Sequence, residues 1–137
     1  MTGQPKSAVS AMAAFDKSPP AFPAADLQTI ARERFGLTGE IAPLVSERDQ
    51  NARIKTPDGD YVLKIANLGE DRLALEFQQA VLAHLATVAP DLGVPRIRPA
   101  KSGEGIVTWP SADGRDAHLV RAVIGRASCR ERVYHPV

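Results

Sequence analysis

Apolar and polar positions alternate with a period near two along residues 51–56 (NARIKT), flanked by the short apolar runs 40–46 (EIAPLVS) and 61–67 (YVLKIAN). That is the pattern of strands with one buried face. In chain order, ERDQ joins the first two stretches, and TPDGD joins the second to the third, where Asp58-Gly59 is a hairpin signal. A three-stranded meander is expected. The period becomes helical over 69–88, with Leu73, Phe77, Val81, Leu85 and Val88 recurring on one side. These five are expected to face the core. Asp71 favours the first turn, and Pro90, Gly93 and Pro95 end the helix. A shorter helix is expected in ADLQTIARERFGL (25–37): Asp26 accepts its first free N–H groups, Leu27, Ile30 and Phe35 share a side, and Gly36 stops it. GEGIVTWP (103–110) and DAHLVRAV (116–123) read as two further strands joined by SADGR. The fold class is α+β: a twisted antiparallel sheet of about five strands, one long packed helix and a preceding short helix.

One residue interrupts this pattern. In YVLKIAN, Tyr61, Leu63 and Ile65 share one face, and Val62, Lys64 and Ala66 share the other. The second face is small and apolar around a single cation. It suits a flat ring over Val62 with an anion beside Lys64, as in a nucleotide whose purine lies on Val62 and whose phosphates meet the ammonium. The alternative is a solvated face with a surface lysine, since lysine is depleted in strands but not rare there. Glu76, at the edge of the long helix's stripe, is placed to hold Lys64; its alternative partner is Arg72, one turn earlier. The turn SERDQN offers Ser46, backbone N–H groups and Asn51 at the mouth of the same sheet. It has no glycine, so side chains limit how closely its backbone approaches a phosphate.

Composition narrows the classes. The 137 residues suffice for one core, and 44% hydrophobic and 24% charged residues are ordinary for a globular protein. A net charge of +1 gives no field for nucleic acid. No apolar run spans a bilayer, and the start is a poor secretory signal, so no membrane association and a cytoplasmic location are expected. The single cysteine, Cys129, excludes an internal disulfide and suggests no Cys-based zinc site.

Strand, DG-bearing hairpin, YVLKI and a helix with an inward Glu together resemble the small lobe of the protein-kinase-like fold. Within that fold the chain is similar to the aminoglycoside phosphotransferase and choline kinase group. PLVSERDQNARIKTPDGDYVLKIAN, LEFQQAVLAHL and GVPRIRPA are especially similar to hydroxylysine kinase-like members. The resemblance covers about residues 27–121. It implies ATP with Mg2+ as cofactor and a small amino-bearing alcohol as phosphoryl acceptor. It also implies that such domains are often fused to a PLP-dependent class III aminotransferase. Carried over by residue, Lys64 meets the phosphates, Glu76 is its ion-pair partner and Val62 lines the adenine site. Ser46, Glu47, Arg48, Asp49, Gln50 and Asn51 form the phosphate-covering loop. Ala52 departs from the family, where an aromatic commonly follows the Asn.

The family's catalytic aspartate and magnesium ligands come from an H-x-D-x-x-x-x-N segment and a later Asp, and nothing here matches. His84, His118 and His135 stand in other contexts. No catalytic residue is therefore assigned, and the chain is expected to be the nucleotide-clamping lobe of a phosphotransferase, inactive alone. A non-catalytic binding module and an unrelated α+β interaction domain are the alternatives. The organisation expected is a mobile leader over 1–25, the lobe over 26–123 and a non-native tail over 124–137, because Ile124 to Val133 resemble a translated sequencing adapter. An apolar strand edge near Val107, Trp109 and Leu119 to Val123 is expected to lie uncovered.

Overall fold

The computed structural model describes residues 19–124. The leader up to residue 18 and the tail from residue 125 lie outside the described residues. The expected meander is present as β1 (Glu40–Leu44), β2 (Gln50–Thr56) and β3 (Gly59–Ile65), paired antiparallel in sequence order. Thr56 pairs with Gly59, so the hairpin turns on Pro57 and Asp58, one residue before the Asp-Gly pair expected to form it. The Thr56 hydroxyl closes the turn, accepting from Asp58 N at 3.1 Å and donating to Gly59 O at 2.8 Å.

β6 (Ala117–Ile124) lies along the far side of β3. Its outer edge is shared by two short strands. β4 (Arg96–Arg98) pairs with residues 122–124, and β5 (Val107–Pro110) pairs with 117–120. Among the described residues the sheet thus has six strands, in the order β1-β2-β3-β6-β4 with β5 beside β6. β4 has only three residues, too few for a periodic signal, and it was not legible in the sequence. Because both partners line β6, the edge expected to be bare is covered: Val107, Val120, Ala122 and Val123 are all buried.

Two helices of the described residues serve opposite faces. α1 (Ala24–Phe35) buries Leu27, Ile30, Ala31 and Phe35 against Ala52, Ile54, Tyr61, Leu63, Ile65, Val120 and Ala122. Each large side chain fully buried there contributes about 1.5–3 kcal/mol. Pro23 is the N-terminal flanking residue of α1 and Asp26 lies in its first turn, so Asp26 is not the cap expected of it; Gly36 is the left-handed C-cap, as expected. Phe22, inside the segment read as leader, packs on this core and meets His118 edge-on at 5.3 Å.

α2 (Arg72–Val88) begins at Asp71, whose carboxylate accepts from Leu73 N at 3.1 Å. It covers the other face near β4 and β6, where Leu75 joins Ala66, Ile106 and Leu119 in a second apolar cluster. The face it buries is not the expected one. Leu75 and Gln79 point inward, whereas Leu73 is 72% exposed, Phe77 70%, Val81 39% and Val88 58%. Of the expected stripe only Leu85 is half-buried. The helix carries two apolar sectors, and packing selected the one with smaller and more polar members.

Candidate anion-binding site

In an antiparallel pair, directly opposed residues share a face. Two rows therefore cross the second face from β2 through β3 to β6: Arg53, Val62 and Val123, then Asn51, Lys64 and Arg121. Ile97 of β4 extends the first row beside Val123. Val62 and Val123 are buried, giving an apolar floor next to a row of two cations and an amide.

Lys64 is half-buried and its ammonium has no ion-pair partner within 4.0 Å among the described residues. Burial, and then the guanidinium of Arg121, hold its pKa below the ordinary 10.5, while Asp49 acts in the opposite direction. Arg121 is also lowered by burial, against the pull of Asp49 and Glu70. The expected contact with Glu76 is not made. Glu76 accepts from Arg72 Nε at 2.9 Å on the exposed side of α2, the i,i+4 alternative. The inward polar residue of α2 is Gln79, and it meets Arg121 rather than Lys64, at 3.5 Å.

The loop between β1 and β2 is held by side chains in place of glycine. Ser46 Oγ accepts from Asp49 N at 3.3 Å. Gln50 exchanges two hydrogen bonds with the backbone of Phe22, at 2.8 and 3.0 Å. Asn67, 2% exposed, clamps the loop to the end of β3. Its backbone N–H donates to Asp49 Oδ1 at 3.3 Å, its side-chain amide to Arg48 O at 3.3 Å, and its Oδ1 accepts from Gly69 N at 2.8 Å. These ties hold the carboxylate of Asp49 close enough to bias both cations.

Of the residues singled out in the sequence, the fold gathers Lys64, Val62, Asn51 and Asp49 on one face, with Ser46 and Gln50 shaping the loop. Glu47 and Arg48 have exposed side chains. Arg121, Gln79 and Asn67 were missed. Arg121 carried the same signal as Lys64, a cation inside an apolar strand, in HLVRAVI.

The residues present suit a phosphate group. Asn51 has a buried side-chain oxygen with no partner, and oxygen and nitrogen of that amide are interchangeable by a flip, so the site has an amide free to donate as well as two cations. For magnesium, the described residues hold no cluster of three His, Cys, Asp or Glu side chains. A cavity of about 180 Å3 between α1 and the β1–β2 pair is lined by Ala31, Leu37, Ile41 and Ile54 and lies away from Lys64. It is smaller than the roughly 300–1,000 Å3 of ordinary ligand pockets.

This architecture is that of a kinase-like small lobe: a meander with a lysine on its third strand, a loop at its mouth and a helix on the same face. The model of the phosphotransferase enzyme family matches residues 40–132, and the chain belongs to that family. The match runs past Ile124 into the segment read as tail. Among solved structures, the chain is similar to a microcompartment-associated aminopropanol kinase, with a TM-score of 0.62 and 20% identity over 74% of this chain. The aligned part is 31% of that kinase, so the chain spans about a third of its length. The comparison with curated proteins gives no match. No described helix is long and apolar enough to cross a membrane.

Proposed function

We propose that this chain is the nucleotide-clamping lobe of an ATP-dependent small-molecule kinase. The observation that carries the reading is Lys64: a half-buried ammonium with no ion-pair partner within 4.0 Å among the described residues, between a tethered loop and the buried Val62–Val123 pair. Adenine lies on Val62 and Val123, the phosphates at Lys64, and the loop from Ser46 to Asn51 covers them. Magnesium and the aspartate that orients the acceptor hydroxyl are supplied by residues outside this lobe. The acceptor is an amino-bearing alcohol, as the hydroxylysine kinase-like wording and the aminopropanol kinase likeness suggest. A cytoplasmic parent, in some cases fused to a class III aminotransferase, fits the same resemblance.

The test is a calorimetric titration of the chain with ATP and adenosine. ATP is expected to bind more tightly than adenosine, and Lys64→Ala to weaken ATP by about tenfold or more with the circular dichroism unchanged, since hydrogen bonds to charged groups are worth roughly 1.5–3 kcal/mol. Equal ATP affinity in the two proteins overturns the assignment. With ATP, magnesium and an amino alcohol, no phosphoryl transfer is expected from this chain by 31P NMR.

A further inference from the structure

Arg121 is a puzzle as a structural residue. It stands directly opposite Lys64 on the neighbouring strand, where like charges destabilise a sheet. Its guanidinium reaches α2 but meets neutral amides there: Nη1 lies 3.5 Å from Gln78 Oε1 and 3.5 Å from Gln79 Oε1. Gln79 is itself fixed, 7% exposed and donating through Nε2 to Gly105 O at 3.0 Å. Arg121 is thus held in place without being neutralised, and no carboxylate lies within 4.0 Å of it among the described residues. Two cations on adjacent strands, about 5 Å apart at the backbone, form a row that one monovalent anion does not balance.

Resting on the nucleotide reading of Lys64, we propose that Arg121 is a second phosphate ligand, so that Lys64 and Arg121 together cradle a polyphosphate chain, with Gln79 as the positioning residue of Arg121. A polyphosphate carries two or more charges on neighbouring groups, which suits two cations that share only the more distant carboxylate of Asp49. Gln79 in place of a carboxylate keeps the second charge available. Burial and mutual repulsion both oppose placing the two charges together, and the contacts of Arg121 with Gln78 and Gln79 are long, at 3.5 Å.

Inorganic tripolyphosphate, ATP and adenosine are titrated into the wild-type chain, Lys64→Gln, Arg121→Gln and Gln79→Glu, and each unliganded thermal midpoint is recorded. Arg121→Gln is expected to weaken tripolyphosphate and ATP about tenfold, leaving adenosine unchanged, with the midpoint equal to or above wild type. Gln79→Glu places a carboxylate beside Arg121 but gives up the hydrogen bond to Gly105 O, so weakened tripolyphosphate binding, and not the midpoint, is its readout. The second variant also serves if Arg121→Gln does not fold. If both Arg121→Gln and Gln79→Glu keep tripolyphosphate affinity within about twofold while Lys64→Gln loses it, Arg121 is no ligand and the reading of Lys64 survives. A lowered midpoint in Arg121→Gln with unchanged tripolyphosphate binding shows a purely structural arginine. If the wild-type chain binds neither ATP nor tripolyphosphate, both proposals fall.

Discussion

At the scale of single residues, Lys64 converts geometry into a pH dependence. The groups facing it are Asn51 and Arg121 in its row and Asp49 on the loop. Its native pKa lies below the ordinary 10.5, so the folded chain releases this proton before the unfolded one does. Between those two values the unfolded state binds more protons, and stability rises with pH. Below the native value the destabilisation is fully present. Lys64→Met keeps the stem and removes the charge. It is expected to be more stable than wild type near neutrality, and the gap to narrow as pH approaches 10.5. Urea unfolding of both proteins across that range is the measurement; parallel curves would contradict a depressed lysine. Taking the difference cancels the other alkaline titrations.

At the scale of elements, α2 shows how one helix can satisfy two readings. Leu73, Phe77, Val81, Leu85 and Val88 make the more regular apolar stripe, yet Leu75 and Gln79 are the residues buried. The inward sector is defined by what the sheet offers: Ala66, Ile106 and Leu119 for Leu75, and Arg121 and Gly105 O for Gln79. Leu75→Ala is therefore expected to cost about 2–5 kcal/mol. Phe77→Ala, on the 70% exposed side, should stay within about 0.5 kcal/mol of wild type. Denaturant midpoints decide between the sectors: a larger loss at Phe77 than at Leu75 would mean that α2 is rotated from the orientation described. Such a rotation would also carry Glu76 to a new position relative to Lys64.

At the scale of the whole molecule, the described residues expose four large apolar side chains along this helix. Leu73, Phe77, Val81 and Val88 form a stripe on one side of α2, whereas β4 and β5 close the outer edge of β6. A contiguous stripe of this kind promotes association in water. The expressed chain is expected to sediment as a concentration-dependent mixture, and Leu73→Lys with Phe77→Lys to shift it toward monomer without loss of secondary structure. A wild-type chain that remains monomeric at high concentration would contradict the exposed stripe.

The sequence by itself determined the features that repeat within one element. Alternation split the faces of β3 and singled out Lys64, TPDGD marked a hairpin though its turn fell one residue earlier than Asp58-Gly59, and the order of the segments resembled a phosphotransferase lobe. Those signals are local because strand and helix periods are properties of the backbone. Only the tertiary structure decided who stands beside Lys64. Pairing β3 with β6 joins segments far apart in the chain, and no period in either strand encodes which residues will be opposed. The rotation of α2 was undetermined for a related reason: with two apolar sectors on one helix, the choice falls to the shape and polar groups of the surface it meets. That surface, assembled from β3, β6 and the 105–106 segment, exists only once the chain has folded, and it drew Gln79 to Arg121 and left Glu76 with Arg72.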